Sequence, residues 1–300
     1  MSDSRTKRLI LTCAAGLSVL LVVIIAGKSA FGKRMDKETE SCPVPVNLNE
    51  TLTNEMSDTS CLAGFDKIVK DYLTYWGIHG ASLSVMRNDS LLFAKGYGEA
   101  DTDKKMGPGN ILRMASVSKL VTAVGIMVLQ ERGLLSIKDH VFGPDGILND
   151  SAYVAAIKDT LYNRITVEDL LRHKGGFSKR GGDPMFSTRW IMMQNGWKEV
   201  PTQEQLMELQ LKRRVRFVPG TAQEYSNFGY LALSMVIEKV SGMDYETFMQ
   251  ENVLRPIGCV DFHIAGNYYK HKLPNETRYY VQHDDEPAEE FNNSGRQGST

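Results

Sequence analysis

The sequence predicts an α+β domain. Two observations carry this. Around residue 65 a helix-spaced apolar stretch runs into a strand, a tight polar turn and a second strand. From Ser116 to Val253 the pattern is then mostly helical, so strands and helices are segregated along the chain. With 300 residues, 42% of them hydrophobic and 24% charged, the chain is long enough to bury a sizeable core. A net charge of −1 gives no ground for a nucleic acid partner.

The N-terminus is organised for export. Residues 1–8 are polar and basic, through Arg5, Lys7 and Arg8. Residues 9–27, Leu9 to Gly27, carry no charge and are long enough to cross a bilayer. The segment reads as an uncleaved transmembrane anchor with its N-terminus inside, or else as a cleaved signal peptide. Lys28 and Lys33-Arg34 follow it in place of a small-x-small cleavage site, which favours the anchor. Residues 28–61 are polar, with Pro43 and Pro45, and read as a linker that lifts a domain at 62–300 off the membrane. The domain is then expected to be extracytoplasmic, and secreted if the segment is cleaved. In an oxidising compartment Cys42 and Cys61 are a possible disulfide pair; Cys259 reads as a core residue.

In the domain, Phe65, Ile68, Val69, Tyr72 and Leu73 recur at helical spacing to about Tyr75. Gly80 to Arg87 alternates like a strand, Asn88-Asp89 turns the chain, and Ser90 to Gly98 is the partner strand. Ala100 to Asn110 reads as a loop. An apolar helix follows Ser116, through Leu120, Val121, Val124, Ile126 and Leu129, and stops at Arg132-Gly133. Thr166 is the expected N-cap of a short helix to His173, with Asp169 three residues on. Ser178 to Pro184 is rich in glycine and charge, hence a loop. Helices are expected at Gln203 to Leu211, Phe228 to Val240 and Tyr245 to Val253.

Ser116-Val117-Ser118-Lys119 is the chemically suggestive stretch. A serine hydroxyl needs a base beside it to act as a nucleophile near neutral pH. A lysine three residues on lies on the same helix face and can supply that base. The helix N-terminus also offers N–H groups to a developing oxyanion. Alone the pattern is weak: it recurs at Ser4 to Lys7, and taken by itself Ser116 reads first as a helix cap. The six histidines show no ligand spacing, so a metal centre is not expected.

Several stretches taken together resemble the family of class C β-lactamases, low-molecular-weight penicillin-binding proteins and related serine esterases. Arg113 to Lys119 is similar to its first motif. Ile165 to His173, with Gly175-Gly176-Phe177, is similar to its connecting helix and loop. Pro219-Gly220 and Tyr225-Ser226-Asn227 with Gly229-Tyr230 are similar to its second motif. Val240-Ser241-Gly242 and Leu254 to Gly258 continue the match, which spans about Leu62 to Phe262. The resemblance implies a β-lactamase/transpeptidase-like fold, an antiparallel sheet flanked by helices with a mostly helical subdomain. It implies an acyl-enzyme mechanism on an amide or ester, be it a β-lactam, a D-alanyl peptide or an ester. Partners would be a small-molecule or cell-wall peptide substrate; no cofactor is called for, and the oligomeric state stays open.

The same resemblance assigns roles. Ser116 would be the nucleophile and Lys119 its proton acceptor or electrostatic tuner. Tyr225 would be the second acid/base, its phenol pKa lowered by Lys119, and Asn227 would bind substrate or Lys119. Which of Lys119 and Tyr225 is the acylation base stays undecided, as it does for Ser-x-x-Lys enzymes generally. Without the resemblance, Tyr225 reads as a half-buried aromatic and Asn227 as a helix cap. The family's third motif, Lys-Thr-Gly or His-x-Gly on a later strand, does not follow Asn227. The C-terminal strands are therefore expected to be missing, along with one oxyanion donor. The competing reading is a catalytically impaired homologue that binds a ligand or has no activity.

Overall fold

The computed structural model describes residues 52–178, 182–259, 261–266 and 269–279. They fall into two compact units, one ending at Asn110 and one beginning at Ile111.

In the first unit, α1 (Ala63–Tyr75) precedes an antiparallel sheet of β1 (Gly80–Arg87), β2 (Ser90–Asp101) and the two-residue β3 (Lys104–Lys105), in the order β1-β2-β3. The β1–β2 hairpin closes through Asn88 and Asp89, with φ of 48° and 58°. Two successive left-handed residues match the twist of the flanking strands, and Asn and Asp tolerate that region better than most side chains. β2 continues past its expected end to Asp101, so part of the expected loop is a second hairpin. The face of α1 also differs from expectation. Phe65, Val69 and Leu73 are half-buried, and Phe65 meets Phe93 edge-on at 5.3 Å. Ile68 and Tyr72 lie on the adjacent stripe and are exposed at 66% and 52%. Spacing of four residues selects the inward row, and the neighbouring apolar pair follows the helix turn outward.

The polar stretch before α1 takes part in the sheet. The Asn54 amide accepts from Gly96 N and donates to Met106 O, both at 2.8 Å. Ser57 Oγ donates to Ala94 O at 2.8 Å and accepts from Ala94 N at 2.9 Å. Side chains here satisfy backbone groups of β2 that a neighbouring strand would otherwise pair. Cys61 is disulfide-bonded; Cys42, its expected partner, lies outside the described residues.

The second unit is helical: α2 (Ser118–Glu131), α3 (Ser151–Ala156), α4 (Val167–Leu171), α5 (Thr188–Asn195), α6 (Gln203–Leu211), α7 (Asn227–Ser241) and α8 (Tyr245–Met249), the last continued by a π turn over Gln250–Leu254. α2 and α7 form the spine. Gly125 lets them approach α8, since a Cβ there would lie 2.7 Å from Met249 Sδ and 3.1 Å from Ile237 Cδ1. Ile126, Leu129, Phe228, Ala232, Leu233, Val236 and Ile237 are fully buried. Burial of each large aliphatic or aromatic side chain among them stabilises the unit by about 1.5–3 kcal/mol before entropy is counted. Phe142, Tyr162, Phe177 and Phe228 make an edge-on aromatic cluster beside this spine. Cys259, expected in the core, is a half-buried free thiol packed on its margin.

The end of the described chain returns to the start of α2. Ile111 bridges to Glu276 in parallel. Arg113 Nε pairs with Glu276 Oε1 at 3.0 Å, its Nη2 donates to Gly266 O at 2.7 Å, and its backbone N–H donates to Tyr279 at 2.8 Å. Among the described residues no helix is long and apolar enough to cross a membrane. The expected anchor at 9–27 lies outside them.

Candidate active site

Ser116 sits in a 3₁₀ turn, Ala115–Val117, that leads directly into α2. Ala115 just before it is left-handed, at φ 44°, and Ser118 Oγ donates to the Ala115 carbonyl at 2.6 Å. A short side chain is suited to that backbone, which costs a non-glycine residue energy. Ser116 does not cap α2 with its hydroxyl: the helix start carries no side-chain cap bond. Its Oγ lies 2.7 Å from the Tyr225 hydroxyl and accepts from Lys119 Nζ at 3.3 Å.

Tyr225 and Asn227 arrive from far along the chain because a loop carries them there. Gly176, at φ 75°, has room for no Cβ: one would lie 2.5 Å from Phe217 O. Residues beyond it then run alongside the turn after α4, with Arg216 N donating to Gly176 O and Glu224 N to His173 O, both at 2.8 Å. The turn itself is closed by His173 N donating to Leu170 O at 3.1 Å and Lys174 N to Asp169 O at 2.6 Å; the expected Thr166–Asp169 capping box sits at the other end of α4. His173 is left-handed at φ 56°; its Nδ1 accepts from Ser226 N at 3.3 Å. Its ring stacks on Tyr225 at 4.5 Å and on Tyr230 at 5.2 Å between centroids. His173, placed at the end of its helix from sequence, forms the wall behind the tyrosine.

The cap of α7 is Ser226, whose Oγ accepts from Gly229 N at 3.2 Å. Asn227 is thereby released from the capping role it could have had. Its Oδ1 accepts from Lys119 Nζ at 2.8 Å. Its Nδ2 and backbone N–H both donate to Asp183 Oδ2, at 3.1 and 3.2 Å. Asp183 lies in the stretch read only as a charged loop, and nothing in its local sequence marks it.

Lys119 is thus held by Asn227 and Ser116, with its ammonium 5.1 Å from the Tyr225 ring centre and 5.6 Å from that of Tyr230. Burial by itself would raise the Tyr225 phenol. The interactions with Lys119 and Ser116, then the lysine's charge, outweigh it, and the phenol lies below its ordinary value of 10.0. All four residues singled out from the sequence, Ser116, Lys119, Tyr225 and Asn227, meet in one hydrogen-bonded group. Tyr225 is 42% exposed, so the group is open to solvent on one side. The arrangement joins a hydroxyl nucleophile, a lowered phenol within proton-transfer distance and a cation beside both, which is the equipment of a serine hydrolase.

The chain belongs to the Beta-lactamase family, whose model matches residues 65–298. This is a family of serine hydrolases that includes carboxypeptidases, β-lactamases and esterases. The chain is 25% identical to penicillin-binding protein 4* of Bacillus subtilis over 188 residues, covering 62% of this chain and 37% of that protein. It is 23% identical over 234 residues to a putative D-alanyl-D-alanine carboxypeptidase of Escherichia coli, covering 73% and 49% respectively. Among solved structures it is similar to EstCE1, described as a hydrolase with promiscuous acyltransferase activity, with a TM-score of 0.58 and 24% identity over 75% of this chain and 58% of that one. The chain therefore spans less than half the length of the two curated relatives.

Proposed function

We propose that the protein is a membrane-anchored serine hydrolase acting outside the cytoplasm, through an acyl-enzyme, on an amide or ester. The observation that carries the reading is the 2.7 Å contact between Ser116 Oγ and the Tyr225 hydroxyl, with Lys119 bonded to the serine. In the proposed reaction Tyr225, as phenolate, takes the Ser116 proton while Oγ bonds to the substrate carbonyl carbon. The charge on Lys119 favours that phenolate, and the Ser116 N–H at the helix start faces the oxyanion. The C–N or C–O bond then breaks, and Tyr225 returns the proton to the leaving amine or alcohol. Water, losing a proton to the same phenolate, releases the acid and restores the serine. Tyr225 is favoured over Lys119 as base because it is closer to Oγ, 2.7 against 3.3 Å. The relatives named for penicillin binding and D-alanyl-D-alanine carboxypeptidase support a cell-wall peptide or a β-lactam as substrate.

The second reading is a ligand-binding homologue with impaired catalysis. It is favoured by the openness of the site: Tyr225 is 42% exposed, and a serine group open to water can hold a ligand without excluding water as catalysis requires. Intact mass of the full chain separates the two, after incubation with a penicillin and, separately, with an alkyl fluorophosphonate. An adduct that disappears in Ser116→Ala supports the hydrolase. A folded wild-type sample with no adduct under either reagent overturns it in favour of the binding reading.

A further inference from the structure

Asn227 presents two chemically different ends, a carbonyl oxygen and an NH₂ group, and only one orientation suits a lysine. The carbonyl must face the ammonium, because an NH₂ group there would set donor against donor. Lys119 cannot enforce this alone; the other end of the amide needs an acceptor that rejects the flipped state. Asp183 is that acceptor. Its Oδ2 receives Asn227 Nδ2 at 3.1 Å and Asn227 N at 3.2 Å, and its Oδ1 receives Met185 N at 3.0 Å. A carboxylate accepts and does not donate, so a flipped Asn227 would turn its carbonyl onto a negative oxygen.

We propose that Asp183 is the positioning residue of this site: it fixes the Asn227 amide so that Lys119 is held against Ser116. It reaches the reacting atoms through Asn227 and does not touch them. The inference rests on the hydrolase reading above. Its carboxylate also enters the electrostatics of the base. The groups facing Tyr225 are Lys119 from α2, Ser116, His173 from the turn after α4, Tyr230 from α7 and, at longer range, Asp183. Lys119 favours the phenolate and Asp183 opposes it. Arg213 faces Asp183 in turn, and its Nη1 donates to the neighbouring Gly182 carbonyl at 3.3 Å. Asp183 therefore holds Lys119 in place while moderating how far the phenol falls.

The test is the rate of Ser116 modification by an alkyl fluorophosphonate, followed by intact mass of the full chain across pH. In that reaction Oγ bonds to phosphorus, fluoride leaves, and the serine proton passes to the base. Asp183→Ala, which leaves the Asn227 amide free to flip, should react roughly tenfold more slowly at its plateau, the loss of a charge-assisted hydrogen bond. Asp183→Asn keeps the shape, and its carbonyl can still accept from Asn227, so its plateau should fall less. In Asp183→Asn, where Asn227 and so Lys119 stay held, the rising limb should move to lower pH, because a negative charge that disfavours the phenolate is gone. Thermal melts of the same samples establish that each is folded. A wild-type plateau rate in Asp183→Ala would overturn the proposal, and so would a slower Asp183→Ala together with an unmoved limb in Asp183→Asn, which marks a merely structural residue. Failure of the wild type itself to react would strike the hydrolase reading instead.

Discussion

The hydroxyls of Ser116 and Tyr225 lie 2.7 Å apart although 109 residues separate them in the chain. Tyr225→Phe removes that contact and keeps the ring that stacks on His173. If Tyr225 is the base, the variant should lose at least about 10²-fold in the rate of fluorophosphonate labelling, the usual scale of a positioned acid/base. Circular dichroism and the melting curve should stay close to wild type, since the ring packing is preserved. An unchanged labelling rate would hand the role to Lys119.

The pH dependence follows from the same group. Burial raises the Tyr225 phenol, but Lys119 and Ser116 bring it below its ordinary value, so the labelling rate should reach its plateau below the pH expected of a free tyrosine. Lys119→Met removes a positive charge that favours the phenolate. Its rising limb should therefore shift to higher pH, opposite in sign to the shift expected for Asp183→Asn. Two profiles with limbs at the same pH would show that the titrating group is not Tyr225.

Ser116 and Lys119 were legible as a pair because their signal is local, one shared helix face. Tyr225 and Asn227 were legible only through the resemblance of Tyr225-Ser226-Asn227 to the family's second motif, since each taken alone reads as an ordinary aromatic or a cap. The helix after Thr166 was readable from a local signal too, a threonine whose side chain bonds three residues on; the helix at Gln203 to Leu211 was read without its cap, and the structure shows the same device there at Thr202. What was not legible depends on contacts between distant segments. Asp183 is 44 residues from Asn227, and no spacing rule marks such a pair. His173 could be placed at a helix end but not as the partner of two tyrosines. Ile68 and Tyr72 fit an apolar pattern that burial then split, because exposure is decided by what lies opposite the helix. α3 and α5 are short and of mixed composition, too weakly periodic to read in advance.

The Arg113–Glu276 pair should be costly to break from one side. The Glu276 side chain is 2% exposed and that of Arg113 19%, so Arg113→Met strands a desolvated carboxylate. The expected loss is about 3 kcal/mol, read from urea unfolding of the full chain. Adding Glu276→Gln to that variant should recover part of it, because the orphaned charge is then gone. A double mutant as unstable as the sum of the two single ones would show that the residues do not interact.

In the first unit, Asp66 predicts a specific loss of stability in acid. Its carboxylate lies 2.5 Å from Lys70 and 2.9 Å from the buried Lys95. Burial alone would raise its pKa, but the two lysines and the Tyr97 phenol bring it down from 3.8 to about 2. The folded value is depressed, so the folded state gains from the ionised form. That gain is complete above the unfolded pKa near 4 and is lost as pH falls through that value toward 2. A shift of this size corresponds to about 2 kcal/mol at most, with Asp66 18% exposed. Other carboxylates with lowered pKa, such as Glu204 and Asp244, also lose stability in acid. The informative quantity is therefore the difference between wild type and Asp66→Asn. At pH 6 the variant should be the less stable, because Lys95 loses one of its two carboxylate partners among the described residues and keeps Asp58. Between pH 5 and pH 2 the gap should close, as protonation makes Asp66 the neutral group that asparagine already is. A gap that stays constant over that range would mean that the ion pairs of Asp66 contribute nothing to folding.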